Sequence, residues 1–373
     1  VDFSTSQLGA LDAIATWLKG SKQVFRLFGY AGTGKTSLAK YLHADYYAAY
    51  TGKAAHVMNS KGCYNATTIH RLIYVSKQKS VERLNELIKK LDANPNNEAI
   101  KKQIIEERRN LNRPFFTLNL DSPLRFAKLL VIDECSMVDE QMGKDVLSFG
   151  CKVLVLGDPF QLPPVRGGGF FTETEPDVLL TEPHRFAKDQ PIYRIATNIR
   201  EGLPIKNDPQ VVRRMTPELA CSVDQIIVGK NVTRQATNKR MRELLGFSNV
   251  LPVVGDKLVC TRNNHDLGIY NGAMYNVTAV DTTFGLCMEI QDPNNGTKYD
   301  VCAHAEYFEG KEPHDIMSAD CFEFGYGITC HKAQGSQWDK VAVVDESHVF
   351  KNVSARWLYT AATRAAKELT IAG

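Results

Sequence analysis

Gly29-Tyr-Ala-Gly-Thr-Gly34-Lys35-Thr36 has the spacing G-x-x-x-x-G-K-[ST], and what stands on either side of it decides the fold. Before it, Val24 to Phe28 is a β-branched and aromatic run that reads as a buried strand ending at Gly29. After it the pattern turns helical. Strand, glycine loop and helix in that order predict a parallel α/β sheet. In such a loop Gly32, Thr33 and Gly34 let backbone N–H groups curl around phosphate oxygens at a helix N-terminus. Lys35 places a charge on the β and γ phosphates, and Thr36 offers a hydroxyl to Mg²⁺.

Working outward, the segment before the strand reads as an amphipathic helix. It follows Ser4 to Gln7, places Leu8, Leu11, Ile14, Ala15 and Leu18 at helical spacing, and stops near Gly20. Further along, Leu129 to Ile132 and Val153 to Leu156 are continuous apolar runs suited to strands covered on both faces, which assigns them to the same sheet. The first of these ends in Asp133-Glu134. Paired with the glycine loop, these two acids supply what hydrolysis needs: Asp133 near the Mg²⁺ shell and Glu134 as general base on the attacking water. A dedicated base for water favours hydrolysis over phosphoryl transfer to a small molecule.

Between about Ser76 and Arg113 the chain becomes polar and charged. The run from Lys77 to Leu91 is broken at Asn94-Pro95-Asn96-Asn97 and resumes as Glu98 to Arg109, which predicts an inserted pair of exposed helices. From about Gly255 to Ala319 short alternating runs are separated by turn residues, with hairpin signals at Asn271-Gly272 and Asn295-Gly296, so a small β-barrel insertion is expected. Val341 to Val344 reads as another buried strand and Ser354 to Lys367 as a helix.

A chain of 373 residues divides into two or three domains, each with its own apolar interior. Its 43% hydrophobic and 23% charged residues are a soluble globular balance. There is no apolar run of membrane-spanning length and no secretory pattern from Val1 onward, so an intracellular, soluble protein is expected. The nine cysteines are scattered singly without a C-x-x-C pair and are expected to be reduced. A net charge of +3 neither demands nor excludes a nucleic-acid partner.

With Asp133-Glu-Cys-Ser-Met137 the chain resembles superfamily 1 helicases of the 5′-to-3′, RecD/Dda-like branch. Ser4-Thr-Ser-Gln7 looks like the adenine-reading Q motif, Tyr50-Thr51-Gly-Lys53-Ala-Ala like motif Ia, and Ala66-Thr-Thr68-Ile-His70 like motif Ib. Gly157-Asp158-Pro-Phe-Gln161-Leu-Pro-Pro is similar to motif III and Leu180-Thr-Glu-Pro-His-Arg185 to motif IV. Tyr326-Gly-Ile-Thr329-Cys-His331-Lys332-Ala-Gln334-Gly335-Ser336 resembles motif V, and Trp357 to Ala365, with Arg364, motif VI.

The resemblance implies two RecA-like parallel-sheet domains with an inserted helical 1B element and an inserted SH3-like β-barrel 2B domain. Residues 1–75 and 114–183 would form domain 1A, 76–113 the 1B element, 184–254 and 320–373 domain 2A, and 255–319 the 2B domain. ATP with Mg²⁺ would bind Gln7, Gly32, Thr33, Gly34, Lys35, Thr36, Asp133 and Gly335, with Thr36 and Asp133 on the metal. Gln161, Arg185 and Arg364 would join Lys35 and Glu134 in catalysis, the two arginines reaching the γ-phosphate from the second domain. Thr51, Lys53, Thr68, His70, Thr329 and His331 would line a single-stranded DNA track.

By the same resemblance, the substrate would be single-stranded DNA and its junctions with duplex. Replication or recombination proteins are possible partners, and a monomer is plausible. The 76–113 insertion is longer than the duplex-splitting hairpin of such relatives, and its use as a wedge stays open beside a solvated helical hairpin. Three other readings stay open as well. They are an RNA helicase or a nucleic-acid-dependent ATPase that does not unwind, a P-loop small-molecule kinase, and a binding module with a degenerate ATP site. Motifs IV to VI speak against the kinase, and the complete set Lys35, Asp133, Glu134 and Arg364 against the last.

Overall fold

The computed structural model describes residues 3–76, 81–94, 97–104, 116–163, 169–184, 190–264, 267–283, 285–309 and 319–373. Its first sheet has six parallel strands in the order Thr67–Thr68, Tyr46–Ala49, Leu129–Asp133, Lys152–Gly157, Val24–Gly29, Val178–Leu180. Alternate residues enter two cores. Leu27, Val131 and Leu154 pack on one face with Ala10, Ile14 and Trp17 of the helix Thr5–Lys19, while Phe28, Ile132 and Val155 pack on the other with Met142 and Val146. This two-sided burial is why Leu129 to Ile132 and Val153 to Leu156 read as unbroken apolar runs.

The helix Thr5–Lys19 begins at a capping box on Ser4 and ends at Gly20, as the sequence predicts, but its buried stripe is Gln7, Ala10, Ile14 and Trp17. Leu8 and Leu18 face outward. The small Ala10 and the large Trp17 fill the i, i+4, i+7 row against the sheet, and leucine content alone points to the wrong face.

A second sheet has five parallel strands in the order Gly327–Thr329, Gln225–Val228, Trp338–Val344, Ala365–Ala372, Val211–Val212. The helix expected over 354–367 stops at Ala362, and the chain turns at Thr363 and Arg364 into the strand Ala365–Ala372. Ala-Ala-Lys-Glu-Leu is good helix sequence, but pairing with Trp338–Val344, from Trp338↔Ala365 to Val344↔Ala372, overrides that preference.

A third sheet is antiparallel, in the order Lys298–Ala303, Leu286–Gln291, Met274–Asp281, Lys257–Cys260, Phe322–Phe324. An isolated bridge joins Ala303 to Asp320. Asn295-Gly296 lies in a tight hairpin as expected, whereas Asn271-Gly272 ends a longer connection. Cys287 and Cys302 stand directly opposite in this sheet and form a disulfide, which corrects the expectation of nine reduced thiols. Their pairing is a matter of strand register, which single-cysteine spacing does not reveal.

The charged insertion leaves the first domain through an antiparallel pair, Tyr74–Ser76 with Phe116–Leu118. It carries the helix Val81–Ala93 and a helical stretch over 98–104, while residues 105–109 of the expected second helix lie outside the described residues. Among the described residues no helix is long and apolar enough to cross a membrane.

Candidate functional site

The strands Val24–Gly29, Lys152–Gly157 and Leu129–Asp133 are neighbours in register, Phe28 beside Gly157 and Ile132 beside Val155. Their carboxyl ends therefore open at one edge, where open α/β sheets bind ligands. The glycine loop leaves the first of them. Gly34, at φ +83°, starts the helix Lys35–Ala39 from the left-handed region that glycine reaches without strain. Gly157 is needed for a different reason, since a Cβ there would lie 2.5 Å from Cys135 Sγ.

Within the loop, Lys35 Nζ donates to Gly29 O at 2.6 Å and Tyr30 O at 3.1 Å. Buried Thr33 donates its hydroxyl to Tyr30 O. The Thr36 hydroxyl donates to Asp133 Oδ2 at 2.6 Å, joining the two expected metal-binding groups directly. Asp133 Oδ1 in turn accepts the Glu134 N–H at 2.8 Å. Glu134 sits at φ +53°, an unusual conformation for a residue with a Cβ that turns the chain sharply off the strand end. Burial raises the Glu134 carboxyl above its ordinary range, Asp133 raises it further, Arg364 and Lys35 oppose, and Asp158 adds to the rise. Two cations and three carboxylates thus act on one another at this edge.

Arg364 comes from the second sheet and is buried. Its guanidinium donates to Thr360 O at 3.0 Å, Ser336 O at 3.3 Å and Thr363 Oγ1 at 3.3 Å. Among the described residues no carboxylate stands within 4.0 Å of it, so it is not held as a structural ion pair. A buried guanidinium without an anion is costly. It is also short of an acceptor that a phosphate would supply. Arg185, its expected companion, lies outside the described residues, although the preceding His184 donates its N–H to Gly32 O at 2.8 Å.

Gln161 is buried and its Oε1 has no hydrogen-bond partner. Gln7 is engaged at both ends of its amide: Oε1 accepts from Ser4 N at 3.1 Å and Nε2 donates to Thr33 O at 3.2 Å. Gln7 therefore braces the glycine loop. Gly335 stands against Thr51 and Ala54, which associates it with the expected DNA-contacting residues.

Those residues share a construction. Thr51, Thr68 and Thr329 each stand at or just beyond the end of a parallel strand and cap the next helix, accepting from Ala54 N, Arg71 N and Lys332 N. A hydroxyl that accepts in this way still has its proton to donate. Lys53 Nζ lies 4.9 Å over the Trp338 ring, and burial lowers its pKa to about 8 against the pull of Asp292. Lys53 thus carries a cation of the first domain onto the second sheet. His70 packs between Tyr50 and Tyr74, and His331 against Phe350, both with pKa values lowered by burial.

Sequence reasoning left several side chains here unassigned. The Tyr359 hydroxyl donates to Asp158 Oδ2 at 2.7 Å and accepts from Ala31 N at 3.1 Å. Thr360 Oγ1 accepts from Leu162 N at 2.9 Å. The Arg200 guanidinium stacks 3.7 Å over the Tyr30 ring, beside an open cleft of about 650 Å³ lined by Glu182 and Tyr193 among others. Tyr359 stands inside a quoted motif, but nothing in a lone tyrosine marks it as a contact between two domains.

Residues 4–213 match the family model described as an AAA domain, and residues 324–372 match the UvrD-like helicase C-terminal domain. The ATP-dependent RecD2 DNA helicase of Deinococcus radiodurans is 26% identical over 281 residues, 66% of this chain and 36% of that protein. The RecBCD enzyme subunit RecD of Buchnera aphidicola is 26% identical over 149 residues, 40% of this chain and 22% of that protein. This chain thus spans well under two thirds of the length of both. Among solved structures, Pif1 helicase from Candida albicans has a TM-score of 0.59 at 19% identity, covering 100% of this chain and 94% of that one. Bacteroides Pif1 bound to ssDNA has a TM-score of 0.61 at 18% identity, covering 100% and 92%. These likenesses show a fold of RecA-like parallel-sheet domains.

Proposed function

The chain belongs to the AAA-domain family, and from that premise we propose that it is a member of the RecD/Pif1-like branch of superfamily 1, a reading supported by its UvrD-like helicase C-terminal match and its likeness to RecD2. It is an ATP-driven motor that moves 5′ to 3′ on single-stranded DNA and separates duplex. The observation that carries this reading is the buried Arg364 guanidinium, which the second sheet delivers without a carboxylate partner to within electrostatic reach of Glu134, itself under the influence of Lys35. An ATP γ-phosphate between them gives the two cations the anion they lack, and its attacking water gives Glu134 a donor. Lys35 and Arg364 stabilise the charge that spreads over the transferring phosphoryl group, and Glu134 takes the proton of the attacking water. Gln161, whose buried Oε1 has no hydrogen-bond partner, is the residue we assign to that water.

The Thr36–Asp133 pair suits a Mg²⁺ ion that arrives with the nucleotide. Such an ion takes one or two protein oxygens, phosphate oxygens and water rather than a protein cage. Among the described residues no cluster of three or more His, Cys, Asp or Glu side chains stands ready to enclose a metal. The parallel sheets fit domains 1A and 2A, the charged insertion 1B, and the antiparallel sheet an SH3-like 2B domain.

Binding of ATP between the sheets draws them together and hydrolysis lets them part. Thr51, Thr68 and Thr329 grip DNA phosphates, with Lys53, His70 and His331 beside them. Strand displacement from tailed duplexes tests this reading. Unwinding with ATP only when the tail is 5′ is expected, and a preference for 3′ tails refutes the direction. An ATPase stimulated by RNA but not by matched DNA refutes the substrate.

A further inference from the structure

The reading above gives no task to the buried Tyr359 hydroxyl. Tyr359 belongs to the helix Ser354–Ala362 packed on the second sheet, and it is 1% exposed. Its hydroxyl is nonetheless bonded to two loops of the first domain: to Ala31 N in the glycine loop and to Asp158 Oδ2 at the start of the loop that carries Gln161. Among the described residues it makes the one hydrogen bond between the glycine loop and the helices of the second sheet. Phe160 packs edge-on against the ring at 5.2 Å.

We propose that Tyr359 is a positioning residue that couples the glycine loop and the Gln161 loop to the arginine of the second domain. The proposal rests on the hydrolytic reading and goes beyond it. A phenol donates and accepts at once, so a single oxygen registers two loops against one helix. The same turn of that helix places Thr360 on Leu162 N, and Arg364 holds Thr360 O. Tyr359, Thr360 and Arg364 therefore move as one piece. Withdrawal of the helix breaks the tyrosine's two bonds and removes the guanidinium from Glu134 in the same step. Burial and the Asp158 charge hold the phenol well above its ordinary range, which keeps its proton available to Asp158.

The test is Tyr359→Phe, which keeps the ring and deletes the oxygen, with Asp158→Asn and the double variant, all in the full chain. DNA-stimulated phosphate release is followed against ATP concentration. A hydrogen bond to a charged group corresponds to a fall in kcat of roughly 10-fold or more. The expected pattern is that fall with KM for ATP within about 2-fold of wild type, and a double variant no slower than the slower single one. A melting curve for each variant separates this split from a general loss of structure. If Tyr359→Phe does not fold, Asp158→Asn carries the same expectation alone. A kcat within about 2-fold of wild type, or single losses that multiply in the double variant, overturns the proposal. Wild-type protein that fails to hydrolyse ATP at all sinks the functional reading instead.

Discussion

Replacing Arg364 by alanine separates chemistry from stability more cleanly than any other change in this chain. The guanidinium makes three hydrogen bonds, all to neutral oxygens of Thr360, Ser336 and Thr363. Each contributes about 1 kcal/mol net, so truncation removes roughly 3 kcal/mol. Against that, the variant no longer buries a cation lacking a nearby anion, and it strands no carboxylate, so much of the loss is offset. The net change in stability is expected to stay under about 2 kcal/mol. The effect on turnover is of another order. An arginine that reaches the transferring phosphoryl group contributes about 10³-fold or more, at least roughly 4 kcal/mol of barrier. Steady-state phosphate release with saturating ATP and single-stranded DNA measures it, alongside a melting curve and binding of a fluorescent ADP analogue. The signature is a collapsed kcat with a nearly unchanged melting temperature and intact ADP binding. The acidic limb of any residual activity should also move to higher pH, because Arg364 is one of the two cations opposing the rise of the Glu134 pKa. A kcat within about 10-fold of wild type refutes the placement of Arg364 on the γ-phosphate.

Glu134→Gln is expected to bind ATP normally and lose about 10²-fold or more in hydrolysis. In the wild type, protonation of the raised carboxyl removes the base, so turnover falls as pH drops through a value above the ordinary glutamate range. A flat acidic limb contradicts that role. Lys53, with its pKa lowered to about 8, carries its charge below that pH, so single-stranded DNA affinity should weaken as pH rises through about 8. Lys53→Arg should abolish the dependence, and one that persists contradicts the assignment to Lys53. Fully buried Asp256 accepts from Arg242 Nε and Nη2, both at 3.0 Å, from Tyr326 OH at 2.9 Å and from Val253 N at 2.8 Å. Asp256→Ala strands the Arg242 charge and should cost about 3–5 kcal/mol in a denaturant titration, where a cost below about 1 kcal/mol contradicts the account.

The nucleotide edge was legible in the sequence because its parts are local. A glycine loop and an acid pair each sit at the end of a largely apolar strand, and both signals survive without knowledge of neighbours. What escaped reading depends on partners distant in the chain. Ala365 to Lys367, the start of the strand Ala365–Ala372, reads as helix locally and is strand only through its pairing with Trp338–Val344. Cys287 and Cys302 looked solitary until the hairpin register set them opposite. The bonds of Tyr359 to Ala31 and Asp158 span 328 and 201 residues. Gln7 shows a subtler gap: the motif identified the residue, but only the structure shows both ends of its amide spent on Ser4 and Thr33.

A structure of the protein with ADP, aluminium fluoride and single-stranded DNA tests the central claim most directly. The fluoride group should lie between Lys35 and Arg364, with an Arg364 nitrogen about 3 Å from it and a water held by Glu134 in line. A fluoroaluminate seated on the glycine loop with Arg364 still turned to Thr360, Ser336 and Thr363, out of its reach, would contradict the motor account.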